Sequence, residues 1–275
     1  MKIFLTGGTG FVGSHFINKA HQKGLDIVSL KQINSLPRVK LLKSPSWLIG
    51  NIGDDWREEL KSCDALVHLA SYGVVRDNNN WDKCFKVNLI ESLNLWEQAI
   101  SVGIKKFIII GSCYEYGLSG KKYDEIPWNA PLLPTDAYSS SKASATITAI
   151  ALAVKYKLDL TVLRLFHVYG EGEDKERFWP TLVRCSKEDK NLEMTIGEQV
   201  RDFQYVGKTV EKILFYLQKE NPIGDPRIVN LGSGKPKTLL QFAEEEWKRL
   251  GSKGKILNGK KAYRPNEIMR FVPKL

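Results

Sequence analysis

"TGGTGFVG", residues 6–13, follows the β-rich run Lys2-Ile3-Phe4-Leu5 and opens an amphipathic stretch from Val12 to Lys23. A strand that turns through glycines into a helix builds a phosphate-binding corner. Without Cβ atoms the backbone turns tightly and approaches a pyrophosphate, and the helix N-terminus offers free N–H groups and a positive dipole end. Gly7, Gly10 and Gly13 have that placement, between the first strand and the first helix, which gives a short glycine motif its weight. The bland reading is an ordinary strand–helix turn. Outward from this corner the chain alternates strand and helix patterns. Strands are expected at Asp26–Leu30, Trp47–Ile49, Ala65–Leu69, Phe107–Ile110, Leu160–Leu165 and Ile228–Leu231. Helices are expected at 55–62, 82–102, 138–156, 210–219 and 238–250. That rhythm predicts an α/β fold: a Rossmann-type doubly wound parallel sheet with a small C-terminal substrate-binding lobe. The expected dinucleotide-binding domain covers 1–169, with 201–232 returning to it, and the lobe takes 170–200 and 233–275.

A carboxylate normally ends the second strand of such a fold when the ribose 2′-hydroxyl is free. Here Lys31 stands there, with Arg38 a little further on. A cation pairs with a 2′-phosphate that a carboxylate would repel, so NADPH is expected over NADH, with NAD as the other option. The competing reading is a lysine that points to water.

The chain has 275 residues and a formal charge of +10. A solvated basic surface accounts for most of that charge, and attraction to an anionic nucleotide is the sharper reading. Lys and Arg are spread along the chain without an RNA-binding motif, so nucleic acid is not an expected partner. No apolar run approaches the ~18–20 residues that span a membrane. The apolar start breaks into glycines and reads as a buried strand, not a leader. Four scattered cysteines lack zinc or disulfide spacing, so reduced thiols, a cytoplasmic location and no metal are expected.

"AYSSSK", residues 137–142, puts Tyr138 and Lys142 four apart on one helix face. A tyrosine ionises near ~10, and a neighbouring ammonium favours tyrosinate. The plain alternative is a surface tyrosine beside a surface lysine.

With "TGGTGFVG", the stretches "VHLAS" (67–71), "VN" (87–88), "GSCYEYG" (111–117), "YSSSK" (138–142), "LRLFHVYG" (163–170), "RDFQYV" (201–206) and "NLGSG" (230–234) stand in one order over nearly the whole length. In that set the chain resembles the extended short-chain dehydrogenase/reductases of the NAD-dependent epimerase/dehydratase superfamily. The resemblance implies a catalytic trio: Ser112 on the substrate oxygen, Tyr138 exchanging the proton, and Lys142 on the nicotinamide ribose. It implies cofactor contacts from Gly7, Gly10, Phe11, Val12 and Gly13 of the turn and from Lys31, Arg38, Asn51 and Ile52 beyond it. Leu69, Ala70, Ser71, Tyr138 and Lys142 complete that set, with Asn88 in a supporting or merely structural role.

On the substrate side the resemblance implies contacts from Ser112, Cys113, Tyr114 and His167, and from Arg177, Arg201 and Arg264 on a diphosphate. Plain surface or salt-bridging arginines are the alternative. Phe178 and Trp179 either flank the base or pack in a core. Sugar 4,6-dehydratases of the superfamily carry Asp and Glu directly after the Ser or Thr. Cys113 and Tyr114 occupy those places, so dehydration is not expected, and Cys113 reads as a packed side chain. The resemblance is strongest to abequose- and paratose-synthase-like nucleotide-sugar 4-ketoreductases, helped by "YRPNEIMRF" (263–271). It implies NADPH-dependent reduction of a nucleotide-linked 4-keto-6-deoxy or 3,6-dideoxy sugar in deoxysugar and lipopolysaccharide O-antigen biosynthesis. The alternatives are an NAD-dependent 4-epimerase and a non-catalytic NADP(H)-binding protein of the same fold. Relatives run several dozen residues longer, which implies a pared-down lobe. They commonly dimerise through two long helices, here 82–102 and 138–156, and Leu93, Trp96, Ile147 and Ile150 suit such a homodimer.

Overall fold

A computed structural model describes residues 1–74, 80–265 and 267–275. The chain begins β1 (Lys2–Thr6), α1 (Phe11–Gln22), β2 (Asp26–Lys31), β3 (Ser46–Ile49), α2 (Arg57–Leu60) and β4 (Ala65–His68). It continues α3 (Trp81–Phe85), a π-helical turn (Lys86–Glu91), α4 (Ser92–Ser101) and β5 (Lys106–Ser112). Two 3-10 turns, Cys113–Tyr116 and Leu118–Lys121, lead to α5 (Ala137–Tyr156), β6 (Asp159–Leu165), β7 (His167–Tyr169) and α6 (Phe178–Lys187). Then come β8 (Leu192–Glu193), β9 (Val200–Arg201), β10 (Phe203–Tyr205), α7 (Val206–Gln218) and β11 (Arg227–Leu231). The last elements are β12 (Lys237–Thr238), α8 (Leu239–Arg249), β13 (Ile256–Leu257) and β14 (Arg270–Phe271).

Seven strands form one parallel sheet in the order β3-β2-β1-β4-β5-β6-β11, as the alternation of strand and helix patterns predicts. Successive side chains of a strand face opposite ways, so each central strand feeds two cores. Phe4, Leu66, Phe107, Ile109 and Val162 pack on one face against Leu95, Trp96, Ala149 and Ala153 of α4 and α5. Ile3, Leu5, Val67, Ile108 and Leu163 pack on the other against Phe16 and Ile17 of α1 and Ile213 and Leu214 of α7. A smaller core of Leu182, Leu192, Met194, Ala243 and Trp247 lies between α6, α8 and β8. Strand order reverses between β1 and β4, and a crevice opens there at the carboxyl ends of the strands, where such sheets bind ligands.

The expected helix over 82–102 is continuous from Trp81 to Ser101, with a π-helical turn at Lys86–Glu91 in its middle. The Ser92 hydroxyl donates to the Val87 carbonyl (2.9 Å) and lies 3.1 Å from His68 Nε2, which widens one turn into the π form. Trp96 is 1% exposed, its ring edge-on to His68 at 5.5 Å, so it belongs to the core and not to a free helix face. Helix α6 also departs from expectation. Pro180 masks it in the sequence, yet falls in the first turn, where a missing N–H costs nothing.

The glycine corner is dictated by close approach. Gly7 has φ +73°, and a Cβ there would sit 2.6 Å from the Ala70 nitrogen; one on Gly13 would sit 2.0 Å from the Gly7 carbonyl oxygen. Gly13→Ala must push β1 and α1 apart. Thermal denaturation should show it less stable by about 1–3 kcal/mol, and dinucleotide titration should show weaker binding; wild-type values for both would refute the packing argument.

Candidate active site

The crevice holds about 670 Å³ and is lined along one side by Gly7, Gly10, Phe11, Val12 and Gly13. Lys31, Arg38, Asn51, Ile52, Leu69, Ala70 and Ser71 line it further along. Gly10 caps α1 without a side chain, and the first turn of α1 has no acidic residue. The free N–H groups and dipole end therefore face the crevice uncontested, a cradle that fits the pyrophosphate of a dinucleotide. At the end of β2 the Lys31 ammonium lies 5.5 Å over the Trp47 ring. The Arg38 guanidinium is half exposed and 3.9 Å from Asp174, a weak pairing that an incoming phosphate can displace.

Ser112, Tyr138 and Lys142 meet where β5 ends beneath the N-terminal turn of α5, and all three line the crevice. Ser112 caps the 3-10 turn: its Oγ accepts from the Tyr114 N–H at 3.2 Å. Asp136 and Ser139 form the capping box that starts α5 one residue before Tyr138. Lys142 is 4% exposed and donates from Nζ to the Ile110 carbonyl at 2.6 Å. Burial lowers the Lys142 pKa, and the Glu115 carboxylate opposes that.

Tyr138 behaves differently from the sequence expectation. Burial pushes its phenol up to about 12, while hydrogen bonding to Ser112 and Ser71 pulls the other way. Desolvation penalises the phenolate, so the group stands as a protonated acid at neutral pH. Cys113 is pushed up to about 12 by burial, against the pull of Arg201 and Arg177, and remains a thiol. It packs with Tyr116, Phe166 and Phe271. His167 is pushed down to about 3 by burial and by the same two arginines, so it is neutral.

A second cavity of about 1060 Å³ joins the first, sharing Tyr114, His167, Arg177, Phe178 and Phe203 with it. Arg177, Arg201 and Arg264 all line this second space, together with Lys121 and Lys261. The three sequence-selected arginines thus line one cavity, which adjoins the crevice that holds Ser112, Tyr138 and Lys142. Trp179 lines the first cavity, its indole N–H donating to Glu246 at 2.7 Å.

One expected contact is displaced. Asn88 does not line either cavity; it accepts from the Tyr72 N–H at 2.7 Å and donates to the Tyr72 carbonyl and the Ser141 hydroxyl, each at 2.9 Å. It therefore braces the loop after β4 against α5, the structural role that the sequence left open for it. Several residues went unselected in the sequence. Glu267 holds Arg201 at 2.5 Å, Glu173 lies 3.9 Å from Arg177 with its carboxyl pushed up to about 7 by burial, and Glu115 is buried beneath Ser112. Glu267 could have been found from its place in "YRPNEIMRF" (263–271), and Glu115 from the S-x-x-E capping-box spacing that starts at Ser112; Glu173 carries no local signal.

A profile of the NAD dependent epimerase/dehydratase family matches residues 3–232. CDP-abequose synthase of Salmonella muenchen is 29% identical over 272 residues, spanning 98% of this chain and 87% of that protein. The structure of UDP-glucose 4-epimerase from Thermotoga maritima with UDP-glucose superimposes with a TM-score of 0.86 at 25% identity, over 100% of this chain and 90% of that one. The Thermus thermophilus UDP-glucose 4-epimerase, solved with NAD, shares the fold at a TM-score of 0.79 and 22% identity, over 100% and 90% of the two chains. This chain belongs to the NAD dependent epimerase/dehydratase family, whose enzymes act on nucleotide sugars.

The cysteine environments are directly testable. Cys63, Cys84 and Cys113 are buried and Cys185 is partly exposed. Iodoacetamide at pH 8 should alkylate Cys185 first, with Cys113 modified only on unfolding, as read by peptide mass spectrometry. Fast native labelling of Cys113 would contradict a thiol held near 12.

Proposed function

We propose that this family member reduces the 4-keto group of a nucleotide-linked 4-keto-6-deoxy or 3,6-dideoxy sugar, using NADPH. One observation carries the reading: Ser112 and Tyr138 line the crevice together, while the two positions after Ser112 hold a packed thiol and a phenol in place of carboxyl groups. Reduction of a ketone needs an acid at oxygen and no acid/base pair at the neighbouring carbons. When bound, the cofactor supplies the hydride that adds to the carbonyl carbon. The Ser112 hydroxyl orients the carbonyl oxygen, and the Tyr138 phenol gives it a proton as the C=O double bond becomes an alcohol. Lys142, fixed on the Ile110 carbonyl, would hold the nicotinamide ribose. The residues that would hold the dinucleotide are the glycine corner, Lys31, Arg38 and the 69–71 loop. Arg177, Arg201 and Arg264 would take the diphosphate, a planar fork meeting phosphate oxygens.

A 4-epimerase is the second reading, favoured by the likeness to UDP-glucose 4-epimerase. It needs Tyr138 as a base in the oxidative half, which a phenol held near 12 disfavours. The enzyme is further proposed to be a homodimer. Ile147 and Val154, each 58% exposed, lie seven residues apart on one face of α5, with Ile90, 60% exposed, in the neighbouring π turn. Three apolar side chains in that state suit a second copy better than water. Gel filtration with light scattering should give twice the 31.2 kDa chain mass, and Ile147→Glu should return a monomer.

NADPH oxidation with CDP-, dTDP-, GDP- and UDP-linked 4-keto-6-deoxy sugars tests the reaction. Turnover that falls about 10²–10⁴-fold in Tyr138→Phe, with NADPH binding retained, is expected; isomerisation without net NADPH loss would instead establish the epimerase. Removing Lys31 or Arg38 by alanine substitution should raise the NADPH KM about tenfold to a hundredfold and leave that for NADH nearly unchanged. Equal effects on both cofactors would refute the 2′-phosphate assignment.

A further inference from the structure

Glu115 is 0% exposed, and its two oxygens are fully used. Oε1 accepts the Ser112 backbone N–H at 2.7 Å, and Oε2 accepts the Arg164 Nε–H at 2.8 Å. Arg164, 2% exposed, spends Nη1 on the Tyr116 hydroxyl (2.9 Å) and the Trp128 carbonyl (2.8 Å). The Tyr116 hydroxyl donates in turn to Asn230 Oδ1 at 2.6 Å. This unit ties the end of β5 to β6 and β11, directly under the catalytic serine. It also explains Gly111: a Cβ there would lie 2.6 Å from Glu115 Oε1 and 3.0 Å from the Arg164 Cγ.

We propose that the buried Glu115–Arg164 pair is the positioning unit of the active site, fixing the Ser112 main chain and, as a closed pair of opposite charges, holding the field at Tyr138 and Lys142 constant. The proposal deepens the reading above and rests on it for the roles of Ser112 and Tyr138. The groups that face this part of the site come from several elements. Tyr138 meets Ser112, Ser71 and Cys113, and Arg177 bears on it from the start of α6. Lys142 bears on His68 in β4. Arg201 acts on Cys113 from β9. The Glu115 charge itself raises the Tyr138, Cys113 and Lys142 pKa values. Because the carboxylate is paired, removing either partner alone leaves a single buried charge beside the trio.

The sign of the consequence follows from Coulomb's law. Glu115→Gln keeps an oxygen for the Ser112 N–H, leaves Arg164 unpaired, and so favours phenolate. Arg164→Met leaves the carboxylate unpaired and favours phenol. Titrating Tyr138 by NMR of protein carrying ¹³Cζ-tyrosine, with Tyr138→Phe to assign the signal, reads this without any substrate. Failure of the reductase reading would therefore leave the test intact. Expected relative to wild type is a shift to lower pH of at least tenfold in proton affinity for Glu115→Gln, a shift to higher pH for Arg164→Met, and a return towards wild type in the double variant. Shifts of the same sign in both single variants, or none, overturn the field claim, since a merely structural loss has no sign.

Should either single variant fail to fold, Gly111→Ala tests the positioning claim, since it displaces Glu115 Oε1 with no change of charge. Its kcat should fall at least tenfold while dinucleotide Kd stays within threefold. An unchanged kcat overturns the proposal.

Discussion

A carboxylate and a guanidinium with almost no exposure, Glu115 against Arg164, lie at the point where three parallel strands end. Withdrawing such a pair from water costs several kcal/mol per ion, and attraction offsets this only when the remaining donors and acceptors are satisfied. Here the carboxylate takes Ser112 and Arg164, and the guanidinium, through Nε and Nη1, takes Glu115, Tyr116 and Trp128. The geometry is therefore over-determined at the last residue of β5. A packed apolar substitute could match its stability, but would fix neither the direction of the Ser112 N–H nor the electrostatic balance beside Tyr138.

From that anchor the catalytic trio follows by burial. Lys142 can stay inside because its ammonium has the Ile110 carbonyl, one residue from the glycine that admits Glu115. Tyr138 is half-buried at the crevice wall with Ser112 and Ser71, and the cost of an ionised phenol there keeps it protonated. The expectation that a lysine four residues away would favour tyrosinate weighed the ammonium's charge without the cost of desolvation. With Lys142 buried and Tyr138 half-buried, desolvation outweighs the neighbouring charge at the phenol.

How much of this was legible in the sequence depends on the range over which each signal acts. The glycine corner, the strand alternation and the Tyr138–Lys142 spacing are local patterns, and the parallel sheet and the trio follow from them. The π turn was not legible, because it arises from Ser92 reaching both Val87 and a histidine on another strand. Helix α6 was hidden by a proline whose harm depends on its position in the turn. Glu115 stood in plain view within "GSCYEYG" (111–117), yet its partner is forty-nine residues further on, so only the fold makes it a pair. Asn88 shows the reverse: its family position suggested the cofactor, and its amide is consumed by Tyr72 and Ser141.

The second cavity poses a different balance. Arg201 sits 2.5 Å from Glu267 and spends its other Nη on the carbonyls of Val200 and Met269. A diphosphate meeting this wall therefore meets an arginine already neutralised and already aimed. Arg264, exposed on the same wall, and Arg177, which bridges both cavities, retain more of their charge for a ligand. An arrangement of this kind trades attraction for orientation: a pre-paired guanidinium gains little by binding an anion, but loses no rotamer freedom in doing so. The excess of cations over anions along the chain adds a long-range pull on any anion, while Arg201 stays fixed between Glu267 and two main-chain carbonyls.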